Sequence, residues 1–176
     1  DIERQIELLR ILGVDIKKIN DKDYEFQAKD ISVDALMTEE FVSLSRNIRG
    51  SVLLIGPLLA RLKEMYLSKP GGDKIGRRKL DTHFIGLQKL GANFEFNSKD
   101  GFFKINAKHL KGTYIHLDEP SVTGTSNIVM AAIMAIGKTT IYNAACEPHV
   151  QQLCRMLNSM GAKISNIGTN RLEIEG

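Results

Sequence analysis

The chain has no tryptophan, two cysteines, four prolines and only 6% aromatic residues. Without tryptophan, and without aromatics interleaved among cations, it lacks the stacking platform of single-strand nucleic-acid binders. Cys146 and Cys154 match neither a CxxC pair nor a zinc-ligand spacing. A disulfide scaffold is therefore excluded, and both residues are expected to be buried free thiols. The longest apolar run, Ile128 to Ile136, is far short of the ~20 residues that cross a bilayer. No charged n-region followed by an apolar h-region opens the chain, so the cytoplasm is the default expectation. His83, His109, His116 and His149 show no metal spacing, and each is expected to be a surface or packed histidine. No phosphate-binding P-loop, dinucleotide fingerprint or nucleophile elbow occurs. Lys plus Arg exceeds Asp plus Glu by only +3, so any basic chemistry must be local.

What is present is an ordinary globular composition, 43% hydrophobic and 26% charged over 176 residues, enough for one domain with a real core. Its organisation is repetitive. The segments "LLRILGVDIKKINDKDYEFQAKD", "LQKLGANFEFNSKDGFFKINAKH" and "LNSMGAKISNIGTNRLEIEG" each read as the end of an amphipathic helix, a glycine stop and a pair of alternating strands. The stops Gly13, Gly91 and Gly161 are 78 and then 70 positions apart, a period that suits a βαβαββ-sized module. Between them, Arg49–Pro70 and Gly124–Ala145 superpose without gaps, each giving an apolar helix and then a β-rich stretch. Starting with Asp1 and ending on a glycine after an apparent strand, the chain reads as a piece of a longer protein with its first unit truncated.

Local signals place the helices. Ile2, Ile6 and Leu9 share one face ahead of Gly13. Asp81 precedes Phe84, Leu87 and Leu90 and is expected to be an N-cap. Ala131, Ala132 and Ala135 make a helix thin enough to be packed all round, closed by Gly137. Pro148 suits the first turn of a helix carrying Val150, Leu153 and Leu157, and Pro57 should kink or restart its own. Because the helices read as more apolar than the strands, helices are expected inside and sheets outside.

Several stretches could carry chemistry. In "KPGGDKIGRRK" a Pro-Gly-Gly turn sets Asp73 among Lys69, Lys74, Arg77, Arg78 and Lys79. Asp73 is either a turn acid that offsets its neighbours or a general acid delivered by a closing loop. Arg78, Lys79, Leu80, Asp81 and Thr82 lead into a helix N-terminus, where a guanidinium and free N–H groups suit phosphate; a solvated basic loop is the plainer alternative. Arg49 opens another helix, an unfavourable place for a cation on dipole grounds, unless a carboxylate such as Glu39 or Glu40 pairs with it. "DEPSVTGTSN" feeds an apolar helix that Ser121, Thr123 or Thr125 could cap.

Taken together, "PGGDKIGRRKLDTHFIGLQKLGA", "SVTGTSNIVMAA", "NAACEP" and "LNSMGAKIS" followed by "EIEG" resemble the UDP-N-acetylglucosamine 1-carboxyvinyltransferases, along nearly the whole chain and in order. The resemblance implies a mixed α/β fold, an inside-out α/β barrel of repeated βαβαββ units, with residues 1–176 forming most of one such domain of a two-domain enzyme. It implies transfer of the enolpyruvyl group of phosphoenolpyruvate to the sugar 3-hydroxyl with release of phosphate, the first committed step of peptidoglycan synthesis. No metal or organic cofactor, nucleic acid or membrane takes part. The proton donor of the mobile loop falls on Asp73, where most members have cysteine. Substrate contacts fall on Arg49, Arg78, Lys79, Leu80, Asp81 and Thr82, and on Glu119, Pro120, Ser121 and Val122.

The match has departures. The usual "RPVDL" is "RKLDT" here, Glu119 replaces a lysine carried by some members, and Cys146 stands where many have arginine in "AREP". The family's Lys-Asn pair is expected upstream of Asp1, and its aspartate base and a further arginine in the second domain, so the piece alone is expected to be inactive. The sister 3-phosphoshikimate 1-carboxyvinyltransferases are the nearest alternative, and a non-catalytic anion- or nucleic-acid-binding module is a more distant one. Fosfomycin inactivates the usual members by alkylating the loop cysteine, a reaction of the thiolate. With Asp73 in that place, the full-length protein is expected to resist it; time-dependent covalent inactivation, read by mass spectrometry, would contradict the assignment.

Overall fold

A computed structural model describes residues 2–68, 80–98 and 101–176. Among these, the repeat seen in the sequence is a repeat in space. Helix α1 (Ile2–Ile11) leads to the hairpin β1 (Asp15–Lys18) and β2 (Tyr24–Gln27). After α2 (Glu39–Ser45) and a 3-10 helix at Arg49–Leu54 come α3 (Ile55–Leu62) and β3 (Glu64–Ser68). The next pass is α4 (Asp81–Lys89), β4 (Asn93–Asn97) and β5 (Phe102–Asn106). Strand β6 (Tyr114–His116), α5 (Val122–Ala132) and β7 (Lys138–Tyr142) follow, then α6 (Pro148–Ser159), β8 (Lys163–Ser165) and β9 (Arg171–Glu175).

The glycine stops work alike. Gly13, Gly91 and Gly161 have φ of +94°, +102° and +106°, a region a side chain rarely enters. Each lets the following N–H reach back to the last helical turn, Val14 to Leu9, Ala92 to Leu87 and Ala162 to Leu157, all at 3.0 Å, the closure of a Schellman motif. The chain then turns directly into a hairpin.

Sheet order repeats as well. β3-β5-β4 is antiparallel throughout, and β7-β9-β8 has the same order and directions, with β6 added parallel to β7. Thus β6-α5-β7-α6-β8-β9 is a complete βαβαββ unit, and α3-β3-α4-β4-β5 repeats its later part. Strands β7 and β9 alternate exposed and buried residues, so one face meets the core and the other meets water.

Helices α3 and α5 are largely enclosed, while α1, α2, α4 and α6 each keep an exposed face. Helix α5 packs on α3, α4 and α6, and most of its residues from Gly124 to Ala132 are buried. Close approach requires glycine: a Cβ at Gly56 of α3 would lie 2.4 Å from the Asn127 carbonyl oxygen, and one at Gly86 of α4 would lie 2.1 Å from Ile128 Cδ1. Phe84 fixes α4 to its sheet through ring contacts with Phe94 and Phe103 at 4.7 and 5.3 Å. Among the described residues no helix is long and apolar enough to cross a membrane.

Several expectations need correction. The two apolar helix–strand stretches do not match without a gap: the left-handed residues Lys63 and Gly137, which start β3 and β7, are 74 positions apart (137 minus 63), not the 75 of the ungapped alignment. Helix α5 ends at Ala132, before Gly137, in a turn through Ala135. Leu80, not Asp81, is the N-cap of α4; Asp81 is its first residue, where a carboxylate complements the helix dipole. In α1 the deepest residue is Leu8, followed by Ile6, with Leu12 buried just after the helix, while Ile2 is exposed. Cys154 is buried as expected but Cys146 is exposed; both are free. Pro148 opens α6, and Pro57 lies in the first turn of α3 where the 3-10 helix gives way to it, as expected.

The glycine contacts give a prediction. Gly86→Ala is expected to destabilise the fold by about 1–3 kcal/mol through overpacking, and Ile128→Ala in the same protein should relieve part of that cost, because the clash is with a side-chain end. Gly56→Ala meets backbone, so no side-chain truncation at Asn127 should rescue it. Urea denaturation of the single and double variants reads both outcomes.

Candidate functional site

Helices α4 and α5 begin side by side. A Cβ at Gly124 would lie 2.8 Å from Thr82 Cγ2 and 3.0 Å from Ser121 Oγ, so their first turns are in contact. Ser121 caps α5, its hydroxyl oxygen accepting from Gly124 N–H at 3.2 Å. Across the gap Thr82 Oγ1 donates to Glu119 Oε1 at 3.3 Å. Between these turns and the strand β6 lies a cavity of about 240 Å³, lined by Asp81, Thr82, Ile85, His116, Leu117, Asp118 and Glu119. Two helix N-termini thus lie side by side with their positive dipole ends together.

A buried polar core holds these turns in place. Asn127, fully buried in α5, accepts from Gly56 N–H on α3 at 2.9 Å. Its amide nitrogen donates to the Val52 carbonyl at 2.8 Å and to His83 Nδ1 at 2.8 Å. A flipped amide would set its oxygen against the Val52 carbonyl and its nitrogen against the Gly56 donor, so the orientation is determined. Because Nδ1 accepts, the His83 proton is on Nε2, which donates to Thr123 Oγ1 at 3.1 Å. Nearby, Thr125 Oγ1 accepts from Ala145 N–H at 3.0 Å, tying α5 to the segment after β7. Burial, and after it the positive charge of Arg49, push His83 down from 6.5 to about 4.

The sequence-derived site residues can now be placed. Asp81, Thr82 and Glu119 line one cavity. Ser121 is the α5 cap and Val122 its first residue, Pro120 is exposed between Glu119 and that cap, and Leu80 packs half-buried at the start of α4. Arg49 opens the 3-10 helix that contacts α5, and its charge is felt at His83; it is not among the residues lining the acidic cavity. Asp73, Arg78 and Lys79 lie outside the described residues. Sequence reasoning left His83, Thr123 and Asn127 unconnected; the one signal was a lone asparagine opening the apolar run "NIVMAA". A larger cavity of about 680 Å³ lies on the β3-β5-β4 sheet, lined by residues including Met37, Tyr66, Phe96 and Lys104. None of the residues singled out in the sequence lines it.

The arrangement has two chemical halves. Helix N-termini and Arg49 favour an anion. Carboxylates at Asp81, Asp118 and Glu119 accept hydrogen bonds from hydroxyl or imide groups and repel a phosphate.

The model of the EPSP synthase family (3-phosphoshikimate 1-carboxyvinyltransferase) matches residues 1–176. The chain belongs to this family. It is 56% identical over 176 residues to the UDP-N-acetylglucosamine 1-carboxyvinyltransferase of Bacteroides fragilis, covering 100% of this chain and 41% of that protein. The enzyme of the same name from Borreliella burgdorferi is 48% identical over 177 residues, again over 100% of this chain and 40% of that protein. The chain thus spans about two fifths of the length of the curated relatives it matches. Among solved structures, the enolpyruvyl transferase NikO of Streptomyces tendae superposes with a TM-score of 0.73 at 18% identity, over 99% of this chain and 40% of that one. EPSP synthase of Acinetobacter baumannii gives 0.69 at 20% identity, over 99% and 38%. The mixed α/β fold of this family is therefore the fold of this chain.

The buried imidazole gives a pH prediction for this family member. A histidine whose value falls from 6.5 to about 4 on folding binds its proton more tightly when unfolded. Stability is therefore complete above pH 6.5 and declines as pH falls towards 4, by up to about 3 kcal/mol. His83→Gln should flatten that limb of the stability–pH curve; an unchanged slope would show that His83 does not cause it.

Proposed function

We propose that this chain is part of a UDP-N-acetylglucosamine 1-carboxyvinyltransferase, working in the cytoplasm on the first committed step of peptidoglycan synthesis and thereby in cell-wall biogenesis, cell shape and division. The observation that carries the reading is identity of 43–56% along the whole chain with proteins of that name. The geometry supports it. A cavity walled by carboxylates at Asp81, Asp118 and Glu119 suits the imide and hydroxyl donors of a uridine, while Arg49 and the helix N-termini suit the anionic parts of a nucleotide sugar and phosphoenolpyruvate.

In the reaction, the sugar 3-hydroxyl adds to the central carbon of phosphoenolpyruvate while Asp73 protonates the methylene carbon. Loss of a proton from that carbon then expels phosphate and restores the double bond. Arg78, with Lys79 beside it, faces the phosphate in this reading, and Leu80, Asp81, Thr82, Glu119, Pro120, Ser121 and Val122 hold the nucleotide. No metal or organic cofactor is needed, because the leaving group is already an activated phosphate ester. The remaining catalytic groups, an upstream Lys-Asn pair and a downstream aspartate base and arginine, belong to other parts of the full-length protein. Neither nucleic acid nor a membrane is a partner.

A second reading, transfer to shikimate 3-phosphate, is favoured by the family description and the EPSP synthase likeness. It fits the acid-lined cavity less well, since shikimate 3-phosphate has no uracil imide to donate to those carboxylates. Phosphate release by the full-length protein tests both. Turnover with UDP-N-acetylglucosamine and none with shikimate 3-phosphate is expected, and the reverse preference would overturn the proposal. Asp73→Asn should lower kcat by about 10²–10⁴-fold, the usual scale of general acid catalysis, with UDP-N-acetylglucosamine affinity by calorimetry within about threefold of the parent. Undiminished kcat would remove Asp73 from the mechanism.

A further inference from the structure

Hydrogen-bond polarity runs from the buried core to the first turn of α5, next to the turn of α4 that lines the acidic cavity. The Asn127 amide hydrogen reaches His83 Nδ1 at 2.8 Å, and the imidazole passes a hydrogen on from Nε2 to Thr123 Oγ1 at 3.1 Å. The Thr123 hydroxyl thus accepts on its inner side and retains one hydrogen to give. Thr123 is the second residue of α5, half-buried, beside the Ser121 cap and the first turn of α4. Its inner partner is 2% exposed and has no second tautomer open to it, because the Asn127 amide is fixed by Gly56 and Val52.

We infer that His83 is a positioning residue that sets the Thr123 hydroxyl as a hydrogen-bond donor to an anionic oxygen of a bound substrate, a phosphate or carboxylate oxygen. This rests on the proposed transferase reading and adds to it a residue pair absent from the contacts implied by the sequence resemblance. A neutral imidazole suits the task. As imidazolium it would place a second charge close to Arg49 and would lose the acceptor that Asn127 requires. Thr125, two residues further into α5, is fully buried, so its hydroxyl is out of reach of a substrate.

The test uses the full-length protein. Thr123→Val should raise KM for one of the two substrates about tenfold, with kcat changed less than twofold; whether the nucleotide sugar or phosphoenolpyruvate is affected tells which oxygen is bound. Thr123→Ser should restore it. His83→Phe should give the same rise, and His83→Phe with Thr123→Val no more than either alone, since both act through one hydrogen bond. Additive effects, or unchanged KM for both substrates, would overturn the inference. If His83→Phe does not fold, the ring ¹⁵N shifts of His83 in the parent decide: the Nε2–H neutral form at pH 7 is expected, and the Nδ1–H form or the imidazolium would contradict it. A full-length protein without transferase activity would sink the functional reading separately. UDP-N-acetylglucosamine or phosphoenolpyruvate binding by calorimetry, with and without Thr123→Val, would then replace KM, and unchanged affinity for both would count against the donor role.

Discussion

One buried side-chain amide organises this molecule. Asn127 joins the backbone of α3, the 3-10 helix ahead of it and the imidazole of α4 from its place in α5. Without it His83 Nδ1 would be a buried acceptor with no partner, at a cost of about 1–3 kcal/mol, whereas the Val52 carbonyl also accepts from Ile55 N–H. Small residues make the arrangement possible: glycine at 56 and at 86 brings α3 and α4 against α5 closely enough for the amide and imidazole to meet. The same contacts leave α5 almost without solvent-exposed surface, so that it forms the centre of the molecule.

The consequence for function is directional. Helices joined at their first turns bring two positive dipole ends together. Glu119 and Thr82, joined across the gap, add an acceptor-rich wall. A fold that repeats α-helix, left-handed glycine and hairpin can present such helix ends repeatedly, which is why the site comes from the ends of separate passes of the repeat rather than from one contiguous motif. The His83 imidazole belongs to the scaffold and the site at once: held neutral by burial and Arg49, it passes a fixed hydrogen-bond polarity from the core to α5's first turn.

Legibility in the sequence followed range. Gly13, Gly91 and Gly161 were readable because a left-handed stop is a local demand that glycine meets. Period-two and period-3.6 patterns revealed the hairpins and helices for the same reason. Lys63 takes the left-handed position that Gly137 takes in the next pass, and no periodicity reports that, so the ungapped match slipped by one residue. The Asn127 partners are 71, 75 and 44 positions away, beyond any spacing rule, and His83 looked like one of several scattered histidines. Cys146, at a spacing that fits neither CxxC nor zinc, was expected buried as free thiols usually are, but it is exposed at the turn before Pro148, just after the buried Ala144 and Ala145. Of the candidate site, Asp81, Thr82 and Glu119 were legible through resemblance to known enzymes; the cavity they share and the network beneath it were not.

The central claim is that substrate binds over the joined first turns of α4 and α5, in the smaller and acid-lined cavity. A crystal structure of the full-length protein soaked with UDP-N-acetylglucosamine tests this most directly. The account predicts the uridine within hydrogen-bonding distance of Asp81 and the Thr82–Glu119 pair. Density for the nucleotide in the larger groove beside Met37, Tyr66, Phe96 and Lys104, with the α4–α5 mouth empty, would contradict it.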